Sequence, residues 1–222
     1  EMNMKKTELL VPANNLEVLR TAVIYGADAV YIGGQNFSLR ERATNFDIDE
    51  MAEAVKFAHE HGVKVYVTAN IFAHNMDFEG MAEYFKAVES IGVDALIISD
   101  LGVFSVAKEA VPNMEIHVST QANNTNYKSA QMWYKLGAQR VVVARELSMN
   151  EIREVRDNIP EDMEIEAFVH GVGIWSVLQK SFKSFWQVKV FRLNAESWIW
   201  RMPDNRFIIF FTEPGENSLH VG

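Results

Sequence analysis

The chain of 222 residues contains no cysteine. That absence excludes disulfides, thiolate-held zinc, a cysteine nucleophile and Fe–S ligation by these residues. No stretch approaches the ~18 consecutive apolar residues that cross a bilayer, so no membrane partner is expected. The opening Glu1-Met2-Asn3-Met4-Lys5-Lys6 leads into a strand-like run and not a signal-peptide core, and a cytoplasmic location is expected. Positive charge is also scarce: 21 Lys and Arg face 30 Asp and Glu, a net charge of −9. The deficit is uneven. After Gly171, Lys180, Lys183, Lys189, Arg192, Arg201 and Arg206 outnumber Glu196, Asp204, Glu213 and Glu216, which leaves −11 upstream. A broad phosphate-binding face is not expected there, whereas a local basic pocket remains compatible with that charge.

What is present is an ordinary globular composition, 48% hydrophobic and 23% charged, enough for a sizeable core. The length suits one large domain, since barrels of alternating strands and helices run to roughly 250 residues. Along the chain one junction recurs: Gly26-Ala27-Asp28-Ala29, Gly62-Val63-Lys64-Val65, Gly92-Val93-Asp94-Ala95 and Gly137-Ala138-Gln139-Arg140. Each closes an amphipathic segment and opens a β-rich one. The spacing predicts helices after Asn15, over Asp49–His61 and Asp77–Ile91, and around Lys128–Leu136. Two further units, Leu101–Ala110 with Glu115–Ser119 and Ser148–Asn158 with Glu164–Val169, stop their helices at Pro112 and Pro160 instead.

Strands are expected at Glu8–Ala13, Ala29–Ile32, Val63–Ala69, Ala95–Ser99, Glu115–Ser119, Arg140–Ala144 and Glu164–Val169. They are apolar on both sides of the pleat, and seven alternations without a long hairpin predict a parallel sheet. An open doubly wound sheet and a closed (β/α) TIM-type barrel share this pattern. The barrel is preferred because the units keep a similar length and no nucleotide-binding glycine fingerprint follows the first strand. About seven strand–helix units are visible, so the barrel is expected to be incomplete. Past Gly171 the order is lost, and Ile208–Thr212 is the only strand-like run. The expected division is therefore a barrel over 1–171 and an irregular, aromatic-rich tail over 172–222.

In either architecture the ligand site lies beyond the carboxyl ends of the strands. Those ends carry Gly33-Gly34, Thr68-Ala69-Asn70, Ser99-Asp100, Ser119-Thr120-Gln121, Ala144-Arg145-Glu146 and His170-Gly171. Asp100 suits either a site role or the N-cap of the helix that begins at Leu101. Ser119 and Thr120 suit either a site or a loop amide. Arg145 suits a carboxylate or phosphate on a ligand, or a structural pair with Glu146. His170 suits a proton donor, or a hydrogen-bonded group that supports the site from behind. His59 and His61 fit a helix C-terminus, His117 fits a strand interior, and His74 stays open. No metal-ligand spacing, nucleophile elbow or phosphate-cradling glycine loop appears; Gly33-Gly34 alone is a weak signal.

Further residues carry a resemblance. Leu10-Val11-Pro12-Ala13 followed by Asn15-Leu16-Glu17, Tyr25–Gly34, Phe37, Leu39-Arg40, Asn45-Phe46, Ser119-Thr120-Gln121, Arg145-Glu146-Leu147 and Glu166–Gly171 resemble the collagenase-like peptidase family U32 over residues 7–171. Within it the sequence is most similar to the branch of bacterial tRNA uridine hydroxylation proteins. The resemblance implies a (β/α) barrel and, in relatives, prephenate-dependent, oxygen-independent hydroxylation of a tRNA wobble uridine, with tRNA and prephenate as partners and a 4Fe-4S cluster held by cysteines. The family pattern places cysteines where this chain has Ile174 and Ser181, so no cofactor is expected to be held here. The alternatives are a collagenase-like peptidase, and a non-catalytic barrel subunit that pairs with a cluster-bearing partner through Trp175, Trp186, Trp198 and Trp200. On this reading His170, Glu146 and Asp100 are the candidate catalytic residues, and Arg145, Gln121, Thr120, Asn70 and Arg40 the candidate substrate-binding residues.

Overall fold

The structure, a computed structural model, describes residues 7–38, 45–170, 174–178, 189–194, 197–201 and 207–211, with side chains described for 7–38 and 45–168. The expected alternation is present. Strands β1 (Leu9–Pro12), β2 (Ala29–Gly33), β3 (Lys64–Ala69), β4 (Ala95–Ile98), β5 (Glu115–Val118), β6 (Arg140–Val142) and β7 (Glu164–His170) pair in chain order, each parallel to the next. Helices α1 (Leu16–Ile24), α2 (Ile48–Glu60), α3 (Met81–Ser90), α4 (Leu101–Ala110), α5 (Tyr127–Leu136) and α6 (Met149–Asp157) occupy the crossovers.

Seven parallel strands are present as expected, and the barrel sheet contains one strand more. The eighth strand is β8 (Ile174–Leu178), which runs antiparallel between β7 and β1 and completes a closed barrel. Helix–strand order does not reveal it, because an antiparallel neighbour needs no crossover helix. The barrel sheet thus extends past Gly171 to Leu178. The later residues also contain regular structure. Strands β9 (Lys189–Asn194), β10 (Ser197–Arg201) and β11 (Phe207–Phe211) form a three-stranded antiparallel sheet in the order β11-β10-β9.

The helices start where the sequence supplies caps. Asn15, Asp47, Asp100, Asn126 and Ser148 each accept a backbone N–H of the first turn, and Asp47 with Glu50 and Ser148 with Glu151 form reciprocal capping boxes. Gly137 ends α5 at φ 97°, a left-handed position that a β-carbon penalises.

Strand alternation sorts the core into two layers. Val30, Ile32, Val65, Val67, Leu96, Ile98, Ile116, Val118, Val141 and Ile165 pack against the helices in the larger core. The residues between them face the barrel axis: Leu10, Ala29, Tyr31, Tyr66, Ala95, Ile97 and Val142 form a small apolar ring, with Phe168 packed on it. The same alternation sends Glu115, His117, Arg140, Glu164 and Glu166 inward, so the axis is apolar in one band and ionic in another.

Candidate functional site

A cavity of about 130 Å³, open to solvent, lies at the carboxyl ends of the strands. Its wall is built by successive strands and their ends: Tyr31 on β2 and Ser38 after it, Thr68 on β3 and Asn70 after it, Ile97 on β4, Ser119, Thr120 and Gln121 after β5, Val142 on β6 and Arg145 beyond it, and Glu166 and Phe168 on β7. Hydrogen bonds hold part of the polar wall in place. Thr68 Oγ1 donates to the Ile32 carbonyl at 3.2 Å and shares a 3.0 Å hydrogen bond with Ser38 Oγ. Thr120 Oγ1 donates to the Val143 carbonyl at 3.4 Å, and Ser99 Oγ to the Asn70 carbonyl at 3.0 Å. Behind the wall, the buried Asn124 amide donates to the carbonyls of Ser119 (3.0 Å) and Val142 (2.9 Å), tying the ends of β5 and β6 together.

Two charged residues are on the described wall. Arg145 is exposed, and its guanidinium carbon lies 3.9 Å from the centroid of the Phe168 ring. This stack fixes the fork without neutralising it, which leaves its donors available for a carboxylate or phosphate. Glu166 is buried beneath, at 1% exposure. Burial is the main influence on its carboxyl and pushes its pKa up to about 7, with the Arg140 guanidinium pulling the other way and Glu8 adding to the rise.

Below the apolar ring the axis is ionic. Arg140, 1% exposed, meets Glu8 at 2.9 Å, Glu164 at 2.6 Å and Glu166 at 3.4 Å, and lies over the Tyr66 ring. Burial opposes the Arg140 charge, yet the surrounding carboxylates outweigh it and hold the guanidinium more firmly protonated than usual. Tyr66 donates its hydroxyl to Glu8, and His117 stands edge-on to the Tyr66 ring. His117 is wholly buried, with its pKa pushed down to about 4, chiefly by desolvation and then by Arg140. Its neutral Nε2–H donates to the Glu115 carboxylate at 3.0 Å, and its Nδ1 has no hydrogen-bond partner among the described residues.

The structure brings four of the candidate substrate-binding residues, Asn70, Thr120, Gln121 and Arg145, to the cavity, together with Thr68 and Ser119 from the same strand ends. Asp100 does not line it: its carboxylate accepts the Val103 N–H at 3.0 Å as the cap of α4, so the capping reading is the one observed. Glu146 is exposed and also lies off the wall, because the chain turns away after Arg145. His170 is in β7, with its side chain outside the described set, and Arg40 lies outside the described residues altogether. His74 is exposed and off the wall, and His117 is the interior histidine expected. Gly34 serves packing: a β-carbon there would clash with Tyr84 Oη.

Sequence reasoning missed Glu166 as a site group, along with Tyr31, Ser38 and Phe168 on the wall. The available signal was period-two charge on strands otherwise apolar on both faces, as in Glu164-Ile165-Glu166-Ala167-Phe168 and Glu115-Ile116-His117. A thiolate-held cluster does not fit this chain, which has no cysteine. The described residues also contain no cluster of three or more His, Asp or Glu suited to a metal.

Residues 14–186 match the family description Peptidase family U32. The chain belongs to peptidase family U32. It is 50% identical over 167 residues to tRNA hydroxylation protein P1 of Bacillus subtilis, an alignment covering 75% of this chain and 39% of that protein. It is 37% identical over 166 residues to a 23S rRNA 5-hydroxycytidine synthase of Escherichia coli, covering 75% of this chain and 24% of that protein. The chain thus spans well under half the length of these U32 relatives. Among solved structures, a U32 peptidase superposes with a TM-score of 0.62 at 16% identity, covering 75% of this chain and 70% of the other, a likeness of fold.

Proposed function

We propose that this U32 barrel is the substrate-binding part of an RNA nucleobase hydroxylation system acting on a tRNA wobble uridine, and that its mouth cavity takes a small anionic co-substrate of the prephenate type. The observation that supports this most is the Arg145 fork laid over Phe168 at a cavity whose floor is Glu166. A carboxylate pairs with the fork. An unsaturated ring packs against Ile97, Val142 and Phe168, while Ser38, Thr68, Asn70, Thr120 and Gln121 meet the hydroxyl and carbonyl groups of the ligand. The names of the RNA-hydroxylating relatives support the reaction class. Within these 222 residues no thiolate is available, so on this reading an Fe–S cluster is held by residues outside the sequence or by a partner.

The test is nucleoside mass spectrometry of tRNA from a hydroxylation-deficient strain. One arm carries the chain alone; a second carries its barrel in place of the corresponding part of the B. subtilis relative. Restored 5-hydroxyuridine in the second arm, lost on Arg145→Ala, is the expected result. A folded, soluble chimera that restores nothing contradicts the reading. The peptidase alternative has less support, because among the described residues no histidine lines the cavity beside its hydroxyls.

A further inference from the structure

Among the described residues, Arg140 is paired with three carboxylates, those of Glu8, Glu164 and Glu166. With all three ionised, the carboxylates outnumber the guanidinium they share, and low dielectric inside the barrel makes that crowding of negative charge expensive. Retaining one proton relieves much of that repulsion, and the carboxylates are not equivalent hosts for it. Glu8 and Glu164 have side chains 17% and 20% exposed and contact the guanidinium at 2.9 and 2.6 Å. Glu166 is 2% exposed and has the longest contact, 3.4 Å. It is also the carboxylate of the three that lines the mouth cavity.

The other groups near it are fixed. Tyr66 on β3 donates to Glu8, and its hydroxyl is held protonated well above its usual range, mainly by burial. His117 on β5 is neutral and bonded to Glu115. On the cavity side stand Tyr31 from β2 and Arg145 beyond β6. Among the described groups facing the cavity, Glu166 is therefore the one placed to exchange a proton with a ligand.

We propose that Glu166 is the proton-exchanging group of the mouth cavity, that Arg140 is its positioning residue, and that an anionic ligand held by Arg145 binds with uptake of one proton onto Glu166. The inference rests on the reading of the cavity as an anion site. A ligand carboxylate at Arg145 adds a negative charge above a carboxyl that already shares the Arg140 guanidinium with two others. The proton comes from solvent, no covalent bond of the ligand changes, and the protonated Glu166 O–H becomes a donor toward the ligand. Reversing the step returns the proton, which makes Glu166 a candidate general acid or base for chemistry at the cavity.

The experiment uses the full chain and prephenate as probe. Calorimetric titrations in buffers of different ionisation enthalpy count the protons taken up. Wild type is expected to take up close to one proton per ligand at pH 8 and almost none at pH 6, and its affinity is expected to fall about tenfold per pH unit above neutrality. Glu166→Gln is expected to bind with no uptake at either pH, and Glu166→Asp to recover uptake with a displaced midpoint. Equal uptake by wild type and Glu166→Gln overturns the proposal. An infrared titration of the ligand-free chain supplies the independent arm: a neutral-carboxyl band lost near pH 7, absent from Glu166→Gln and displaced in Arg140→Lys. Glu166 found ionised down to pH 5 overturns the assignment whatever binds. If prephenate fails to bind while the infrared band behaves as expected, the anion-site reading and the uptake fail together, and Glu166 keeps its proton-exchanging role.

Discussion

Arg140 and Arg145 are five residues apart, and burial gives them opposite tasks. Arg145 is exposed and stacked, and its fork is open to a ligand. Replacing it with Ala is expected to weaken binding of a carboxylate ligand by one to two orders of magnitude, the scale of a lost charge-assisted pair, while thermal stability changes little. Calorimetry with melting curves separates the two effects. Arg140 is enclosed by carboxylates, and Arg140→Met leaves Glu8, Glu164 and Glu166 without their cation. A loss of roughly 3–5 kcal/mol in urea unfolding is expected. A stability within about 1 kcal/mol of wild type contradicts the account of the cluster. At this scale the sequence was only partly legible. Arg145 stood out because strand ends are where parallel barrels place ligands. Glu166 did not, because a carboxylate inside a strand reads as an edge or surface residue until the barrel axis is known.

At the scale of elements, caps and glycine junctions made the parallel strands and crossover helices readable, since each boundary has a local chemical cause. Asp100 shows the limit of that logic: an acid at a strand end that begins a helix serves two readings equally, and only the 3.0 Å bond to Val103 N–H decides. Asp100→Ala is accordingly expected to cost about 1 kcal/mol of stability, the usual worth of an N-cap, and to leave ligand affinity unchanged. A collapse of binding in a stably folded variant returns Asp100 to the site. The antiparallel β8 was illegible for a different reason. Its pairing depends on the edges of β7 and β1, which are distant in sequence from one another, and no local periodicity encodes that gap. Gly34 belongs to this scale as well. Because its missing β-carbon makes room for Tyr84 Oη, Gly34→Ala is expected to destabilise by roughly 1–3 kcal/mol through overpacking, measured by chemical denaturation.

For the whole molecule, the barrel axis stores two buried ionisable groups whose effects on stability oppose each other. Glu166 has a folded pKa near 7 against an ordinary 4.5. Between those values the folded state holds more protons than the unfolded one, so its contribution is full below pH 4.5 and is lost as pH rises through 7. His117 has a folded pKa near 4 against 6.5. There the unfolded state holds more protons, so stability is full above pH 6.5 and is lost as pH falls through 4. Each effect is worth about 3 kcal/mol, and from pH 4.5 to 6.5 the slopes run in opposite directions with similar size. Wild type is therefore expected to show a nearly level melting temperature across that window from these two groups. Single substitutions expose what the pair conceals: Glu166→Gln is expected to gain stability steadily as pH rises from 4 to 6.5, and His117→Gln to lose it from 4.5 to 7, each by roughly 10 °C in melting temperature across its window. Parallel curves for wild type and both variants remove the argument, since they mean that neither group changes its proton affinity on folding.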